Sequence, residues 1–67
     1  MTSKLATLRK ERLLTQGQLG ALVNLSQSSV SNFETGRRPA WPRARKSLAM
    51  FYGIPERELF NTEGRPL

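Results

Sequence analysis

The sequence predicts an all-α domain, and three features of its pattern support that fold class. Apolar residues recur at spacings of three and four, which places their side chains on one face of a helix. Residues that favour helix N-termini alternate along the chain with Gly and Asn residues that favour helix C-termini. No segment shows the apolar–polar alternation of a half-buried strand. The pattern therefore divides the chain into five helical segments.

The first helix is expected over residues 3–12, where Thr2 or Ser3 can cap the N-terminus. The second helix begins at Thr15, because the T-x-x-Q sequence starting there has the form of a capping box. It ends at Asn24, since asparagine tolerates the left-handed conformation that a sharp turn needs.

The third helix is expected from Ser26, a favourable N-cap residue, to Thr35, with Gly36 as its C-terminal stop. A turn of about three residues, 24–26, joins it to the second helix. This is the span of a helix-turn-helix motif.

The fourth helix is expected from Pro42, a favoured first-turn residue, to Tyr52, and a fifth over residues 55–60. We expect residues 1–60 to form one domain. Residues 61–67 are expected to be a flexible C-terminal tail, because chain ends that contain Gly and Pro tend to fray.

The third helix has an outward face without charge. At about 100° per residue, Val30 and Phe33 lie on one side of this helix and pack inward. The opposite side carries uncharged polar residues: Gln27, Ser28, Ser31, Asn32 and Thr35. A solvated helix surface usually carries Lys and Glu, which form helices better. Readout of base edges explains the polar face, because Gln and Asn can pair bidentately with adenine and Ser and Thr suit several bases.

Charge is concentrated in the first two thirds of the chain. The 67 residues include 11 basic and 5 acidic residues, which gives a formal net charge of +6. Nine of the basic residues but only two of the acidic ones lie within residues 1–46. A concentrated positive field indicates a polyanionic partner, either nucleic acid or an anionic membrane.

The composition excludes several function classes. The chain contains no Cys and no His, so we expect no enzyme, no metal site and no cofactor. No apolar run approaches the ~20 residues that cross a bilayer, and the N-terminus lacks the apolar region of a secretory signal. A cytoplasmic protein without a membrane partner is therefore expected.

Taken together, these residues resemble the Cro/cI (Xre) family of helix-turn-helix DNA-binding domains over about residues 5–60. The motifs that carry the resemblance are Leu5-x-x-Leu8-Arg9, Leu14-Thr15-Gln16-x-x-Leu19, Leu25-Ser26-Gln27-Ser28-Ser29-Val30-Ser31-Asn32-Phe33-Glu34-x-Gly36 and Gly53-Ile54-Pro55 before Leu59-Phe60. Gly20 stands where the family usually has Ala, and it is expected to reduce helix stability by ~1 kcal/mol.

The resemblance implies a lambda-repressor-like fold, a compact bundle of five short helices with the helix-turn-helix formed by helices 2 and 3. It implies that the third helix lies in the DNA major groove. The implied base contacts are Gln27, Ser28 and Asn32, to which the outward face adds Ser31.

The resemblance also implies contacts with DNA phosphates and one ion pair. Gln16 and the loop arginines are the usual phosphate contacts; the full candidate set is Thr15, Gln16, Ser26, Thr35, Arg37, Arg38 and Arg43. For Arg43 and its basic neighbours on the fourth helix, solvated side chains are the alternative. Arg9 and Glu34 match a structural ion pair between the first and third helices.

The C-terminal third of the chain is crowded with large apolar side chains, namely Met50, Phe51, Ile54 and Phe60. They are too many for so small a core. One or two can simply be exposed, which is normal in monomers. Alternatively, they form the contact patch of a two-fold homodimer.

These observations predict a sequence-specific double-stranded DNA-binding transcriptional regulator that acts as a dimer on an inverted repeat. No small-molecule ligand is expected. The main alternative is a protein-interaction module, an antitoxin or co-regulator, that would use Leu22 and the C-terminal apolar cluster. Single-stranded nucleic acid binding is disfavoured because Trp41 is the sole candidate for stacking, and a membrane-surface peptide because the helices are capped as in a folded domain.

Overall fold

A computed structural model describes residues 2–67 as a bundle of five helices. The helices are α1 (Lys4–Glu11), α2 (Gln16–Val23), α3 (Gln27–Thr35), α4 (Pro42–Tyr52) and α5 (Glu56–Leu59). Within residues 2–67 the extended backbone is limited to an isolated antiparallel bridge between Phe60 and Pro66. The predicted all-α fold with five helices is confirmed, and each helix end lies within one residue of its predicted position.

Side-chain caps fix where the first three helices begin. Ser3 caps α1, which decides between the two candidates for that position. In α2, Thr15 Oγ1 accepts from Gln18 N at 3.0 Å, and Gln18 Oε1 accepts from Thr15 N at 2.8 Å. Ser26 Oγ accepts from the backbone N–H of Ser29 at 3.0 Å in α3. These are local interactions, which is why the sequence pattern predicts them.

The turn between α2 and α3 brings the two helix backbones together at Gly20. Asn24 adopts the left-handed conformation with φ 60° and ψ 45°, and Leu25 N then donates to Gly20 O at 2.7 Å. A Cβ atom at position 20 would collide with the carbonyl oxygen of Leu25. The resemblance implies a small residue at position 20, where α2 and α3 meet, and Gly fits there at a cost in helix propensity. The structure adds that the close approach of the turn leaves no room even for a Cβ atom.

The core lies between α1, α2, α3 and α4, and the C-terminal residues close it. Its members are Leu5, Leu19, Val23, Val30, Phe33, Ala40, Ala44, Leu48, Ala49, Tyr52, Leu59 and Phe60. The ring of Phe33 also meets the indole of Trp41 edge-on, with centroids 5.0 Å apart, while Trp41 stays half exposed. Packing around Val30 and Phe33 therefore fixes which face of α3 remains free.

Residues 61–67 fold back onto the bundle. Leu67 N donates to Leu59 O at 3.0 Å, and Leu67 O accepts from Lys4 N at 2.8 Å. Gly64 is buried against Ala40. The flexibility of this segment in solution stays a prediction, but its folded position links α1, α5 and the loop after α3. None of the helices in residues 2–67 is long and apolar enough to span a bilayer.

Candidate nucleic-acid interface

The outward face of α3 forms one wall of an open, polar groove. The groove is lined by Gln16, Gln27, Ser28, Ser31, Asn32 and Arg37, and we refer to it as the reading groove. All four side chains predicted to contact bases lie in it. It carries one charged group, Arg37, at its edge. The groove therefore offers amide and hydroxyl groups, which can both donate and accept hydrogen bonds.

The orientation of α3 follows from what it buries. Val30 is 0% exposed and Phe33 1% exposed, so the helix cannot rotate without exposing its apolar side chains. On the other side, Gln27 and Ser28 are exposed, and Asn32 is half-buried. Because core packing sets this orientation, the polar face is held rigidly outward.

A buried carboxylate joins three helices behind the reading groove. The side chain of Glu34, which is 4% exposed, accepts from Arg9 Nε at 2.7 Å and from Arg9 Nη2 at 3.1 Å. Its Oε1 also accepts from Gln16 Nε2 at 3.1 Å. Arg9 Nη1 donates to Leu14 O at 2.8 Å, just before the capping box of α2. The hydrogen bonds to Glu34 raise the pKa of Arg9, so the guanidinium stays charged.

This carboxylate determines the orientation of the Gln16 amide. Only the NH2 group of an amide can face a carboxylate oxygen, so the positions of Gln16 Nε2 and Oε1 are chemically unambiguous. One N–H of that amide is used by Glu34, and the second is free to donate. The resemblance implies the Arg9–Glu34 pair but not this third partner, since no local pattern relates Gln16 to Glu34.

Gln27 lies against the first turn of α2. A Cβ atom at position 17 would be 3.5 Å from Gln27 Oε1, an ordinary contact distance. Gly17 thus leaves the Gln27 amide close to the helix start without crowding it. The sequence analysis did not single out Gly17, because its effect on Gln27 arises from the packing of α2 against α3.

The hydroxyl groups predicted to contact phosphates are already engaged within the protein. Thr15 and Ser26 cap their helices, and Ser26 Oγ also donates to Ser29 Oγ at 3.0 Å. Thr35 Oγ1 donates to Ser31 O at 3.0 Å and accepts from Arg37 N at 3.4 Å. Beside these caps, the first backbone N–H groups of α2 and α3 have no partner within their helices, and they attract anions.

The predicted basic residues separate into two groups. Arg37 and Arg38 are exposed in the loop that follows α3, next to the reading groove. Arg43 is exposed but lines a different groove, with Trp41 and Asn24. The structure thus does not bring Arg43 into the reading groove.

Two further basic residues differ in whether their side chains are bound within the protein. Arg45 is bound internally, because it donates to Ala40 O and its Nε lies 3.7 Å from Glu56 Oε1. Lys10, which no sequence motif singled out, is exposed and lines a neighbouring groove that shares Gln16 with the reading groove. Its position next to Arg9 in the sequence is the feature that could have indicated a basic residue near the reading groove.

The C-terminal apolar residues are only partly at the surface. Met50 is 73% exposed, and Phe51 and Ile54 are half-buried. Phe60 is 2% exposed and belongs to the core, so its side chain is not available to a second copy. Within residues 2–67, no His, Cys, Asp or Glu residues group so as to hold a metal ion.

A short helix that presents uncharged hydrogen-bonding side chains, held by a three-residue turn against a second helix and flanked by arginines, defines a helix-turn-helix DNA-binding protein. The family described as helix-turn-helix domain matches residues 2–60, so the chain belongs to that family. Comparison with curated proteins and with solved structures gave no match.

Proposed function

We propose that this protein is a sequence-specific, double-stranded DNA-binding transcriptional regulator of Cro/cI type that places α3 in the major groove. The observation that carries the proposal is the reading groove, in which the four candidate base readers lie together and charge is confined to the margin. Uncharged amides and hydroxyls discriminate between base edges, whereas charged groups at the margin position the protein on the backbone.

The two amides of α3 are the proposed main readers. Gln27 at the start of the helix and Asn32, five residues further on, can each pair bidentately with adenine N6 and N7. Ser28 and Ser31 lie between them and suit several base edges. The Gln27 amide lies near the first turn of α2, where a Cβ atom at position 17 would be 3.5 Å from its Oε1.

The proposed phosphate contacts surround the reading groove. Arg37 and Arg38 approach the backbone from the loop after α3. Gln16 donates its second amide N–H, together with the free backbone N–H groups at the start of α2. Thr15 and Ser26 hold the starts of α2 and α3 in place through their capping bonds, and Thr35 bonds back to Ser31 O at the end of α3. Arg43 is proposed to contact the flanking backbone.

The dimensions of the domain limit one copy to one half-site, and we propose that the protein binds as a homodimer. The Cα atoms of the described residues span 27 × 24 × 23 Å, whereas successive major grooves on one face of DNA lie about 34 Å apart. One copy therefore reads one half-site, and two copies read an inverted repeat. The proposed contact is the apolar surface around Met50 and Ile54. Its rim carries Lys46 and Glu56, whose opposite charges can pair across a two-fold axis.

Selection of bound duplexes from a random pool tests the proposal. We expect an inverted repeat whose half-site centres are about 10 base pairs apart. Enrichment of a single half-site would support sequence-specific binding and contradict the proposed dimer. Failure to enrich any sequence, with the protein folded, would contradict sequence-specific DNA binding.

A second candidate function is a protein-interaction module, and exposed apolar side chains away from the reading groove favour it. Leu13 is 90% exposed and Leu22 is 59% exposed. Under this alternative, Leu22→Lys would abolish binding of a protein partner, and Gln27→Ala would leave that binding intact. If the protein is instead a DNA-binding regulator, Gln27→Ala should weaken binding to duplexes and Leu22→Lys should leave that binding unchanged.

A further inference from the structure

The loop that carries Arg37 and Arg38 is held at both of its ends by the last residues of the chain. At the beginning of the loop, Arg65 Nη1 donates to the carbonyl oxygen of Gly36. At its end, Ala40 N donates to Gly64 O at 2.9 Å. We call residues 61–67 the C-terminal clip. The two arginines lie between the points at which the clip grips the loop.

The clip is itself anchored to the rest of the domain and braced internally. Leu67 pairs with Leu59 and with the start of α1 through backbone hydrogen bonds of 3.0 and 2.8 Å. Asn61 Oδ1 accepts from the N–H groups of Glu63 and Arg65, each at 2.9 Å. The clip therefore connects α1 and α5 to the loop and holds the loop at a fixed position relative to these helices.

Gly64 permits the close approach between clip and loop. It is buried, and its φ of +85° lies in the left-handed region. A Cβ atom there would be 2.5 Å from Ala40 O and 2.8 Å from Arg45 Nη1. Because these neighbours include backbone, any side chain at position 64 pushes the clip away from the loop.

We propose that the C-terminal clip is a positioning element for DNA binding, which holds the loop so that Arg37 and Arg38 face the phosphate backbone before DNA arrives. The inference rests on the proposed function, in which these arginines contact phosphates. A loop that is already ordered loses little conformational freedom on binding. If even one backbone residue of the loop became ordered only on binding, its loss of conformational entropy would lower affinity by about tenfold.

The main test compares a substitution in the clip with one that destabilises the domain elsewhere. Gly64→Ala disrupts the clip, whereas Thr7→Gly lowers helix propensity at an exposed position of α1, away from the loop, the reading groove and the apolar surface around Met50 and Ile54. Both proteins are assayed at a temperature where circular dichroism shows them fully folded. We expect Gly64→Ala to lose about tenfold in affinity for selected and random duplexes alike, and the control to stay within about twofold.

A milder pair of variants covers the case in which Gly64→Ala does not fold. Asn61→Ala removes the two bonds that brace the clip, and Thr62→Ala is an exposed neighbouring control. Hydrogen exchange at the Ala40 amide reports whether the loop is still gripped. We expect faster exchange and lower affinity in Asn61→Ala alone. Faster exchange with unchanged affinity, or unchanged exchange in both clip variants, would overturn the proposal.

A double-mutant comparison shows whether the clip acts through the two arginines. With Arg37 and Arg38 both replaced by Ala, disruption of the clip should lower affinity no further; a full additional loss would refute the positioning role. If the double arginine replacement itself leaves affinity unchanged, the phosphate assignment in the proposed function fails. If the wild-type chain binds no duplex, the proposed function as a whole fails.

Discussion

At the scale of single residues, Glu34 links the stability of the domain to the geometry of its reading groove. Its carboxylate is buried and accepts hydrogen bonds from Arg9 on α1 and Gln16 on α2. A buried carboxylate that loses its partners is strongly destabilising, since the charge then remains without water or a counter-charge. The hydrogen bonds from Arg9 therefore contribute to folding, and the one from Gln16 also fixes the position of a residue of the reading groove.

We expect a double-mutant cycle on Arg9 and Glu34 to show strong coupling. Arg9→Ala leaves the Glu34 carboxylate buried without its cation and should lower the free energy of unfolding by about 3–5 kcal/mol. The double replacement should lose much less than the sum of the two single losses, with a coupling of about 1–3 kcal/mol. Urea unfolding of the four proteins measures these values. Additive losses would contradict a mutually dependent pair.

Tyr52 makes stability sensitive to alkaline pH. Burial raises the pKa of its phenol above the ordinary value of 10.0, and the charge of Glu34 raises it further, while Arg12 and Arg9 act in the opposite direction. The folded state thus holds the phenol proton more tightly than the unfolded state does. The resulting stability is fully present below about pH 10 and is lost as the pH rises through the pKa of the folded state.

Tyr52→Phe isolates this effect. The buried Tyr52 hydroxyl has no hydrogen-bond partner among residues 2–67, so its removal at pH 7 should leave stability unchanged or raise it by up to about 1 kcal/mol. As the pH rises above about 10 and through the raised pKa of Tyr52 in the folded state, the wild-type protein should lose stability relative to the variant. Thermal unfolding at a series of pH values measures the difference. Parallel curves for the two proteins would exclude Tyr52 as the titrating group.

At the scale of elements, two glycines of α2 have opposite roles although they are only three positions apart. The backbone at Gly20 touches the turn that leads into α3, which leaves no room for a side chain. The nearest neighbour at Gly17 is a flexible amide at ordinary contact distance. Helix propensity alone treats the two positions alike, because it does not depend on what packs against the helix.

The same substitution should therefore act with opposite signs at these positions. Gly20→Ala forces the turn away from α2 and should lower the free energy of unfolding by about 1–3 kcal/mol. Gly17→Ala should raise it by about 0.4–1 kcal/mol, since alanine reduces the freedom of the unfolded chain. Denaturant unfolding of both variants is the measurement. A stabilised Gly20→Ala protein would mean that α2 and the turn can move apart without loss of folding stability.

At the scale of the whole molecule, charge and reading surface are separated. Basic residues are concentrated in residues 1–46, but they leave the outward face of α3 uncharged. Attraction to a polyanion depends on charge and is independent of sequence, whereas discrimination depends on hydrogen bonds to base edges. Under the proposed function, affinity and specificity are therefore supplied by different surfaces of the domain.

This separation gives different expectations for Gln27→Ala and Arg38→Ala. Gln27→Ala should relax base preference at one position of each half-site and weaken selected duplexes by ~1–3 kcal/mol. Arg38→Ala should weaken all duplexes about equally and lower the slope of log affinity against log salt concentration by about 1. Titrations of selected and scrambled duplexes at several salt concentrations measure both. An equal loss on every sequence for Gln27→Ala would remove it from the readers.

The sequence by itself determined the helices and their ends, because caps and stops are interactions between residues a few positions apart. Thr15 with Gln18, Ser26 with Ser29, and the left-handed Asn24 follow from local chemistry. The same holds for the polar face of α3, since helical periodicity alone separates it from Val30 and Phe33.

Only the tertiary structure decided which distant groups meet. It decided that Gln16 shares the carboxylate of Glu34, that Phe60 is buried in the core, and that residues 61–67 grip the loop after α3. Gly20 and Gly64 look like ordinary helix and tail glycines until another backbone is seen lying against them. Such contacts join residues that are far apart in the chain, and they depend on helix packing that no local pattern records.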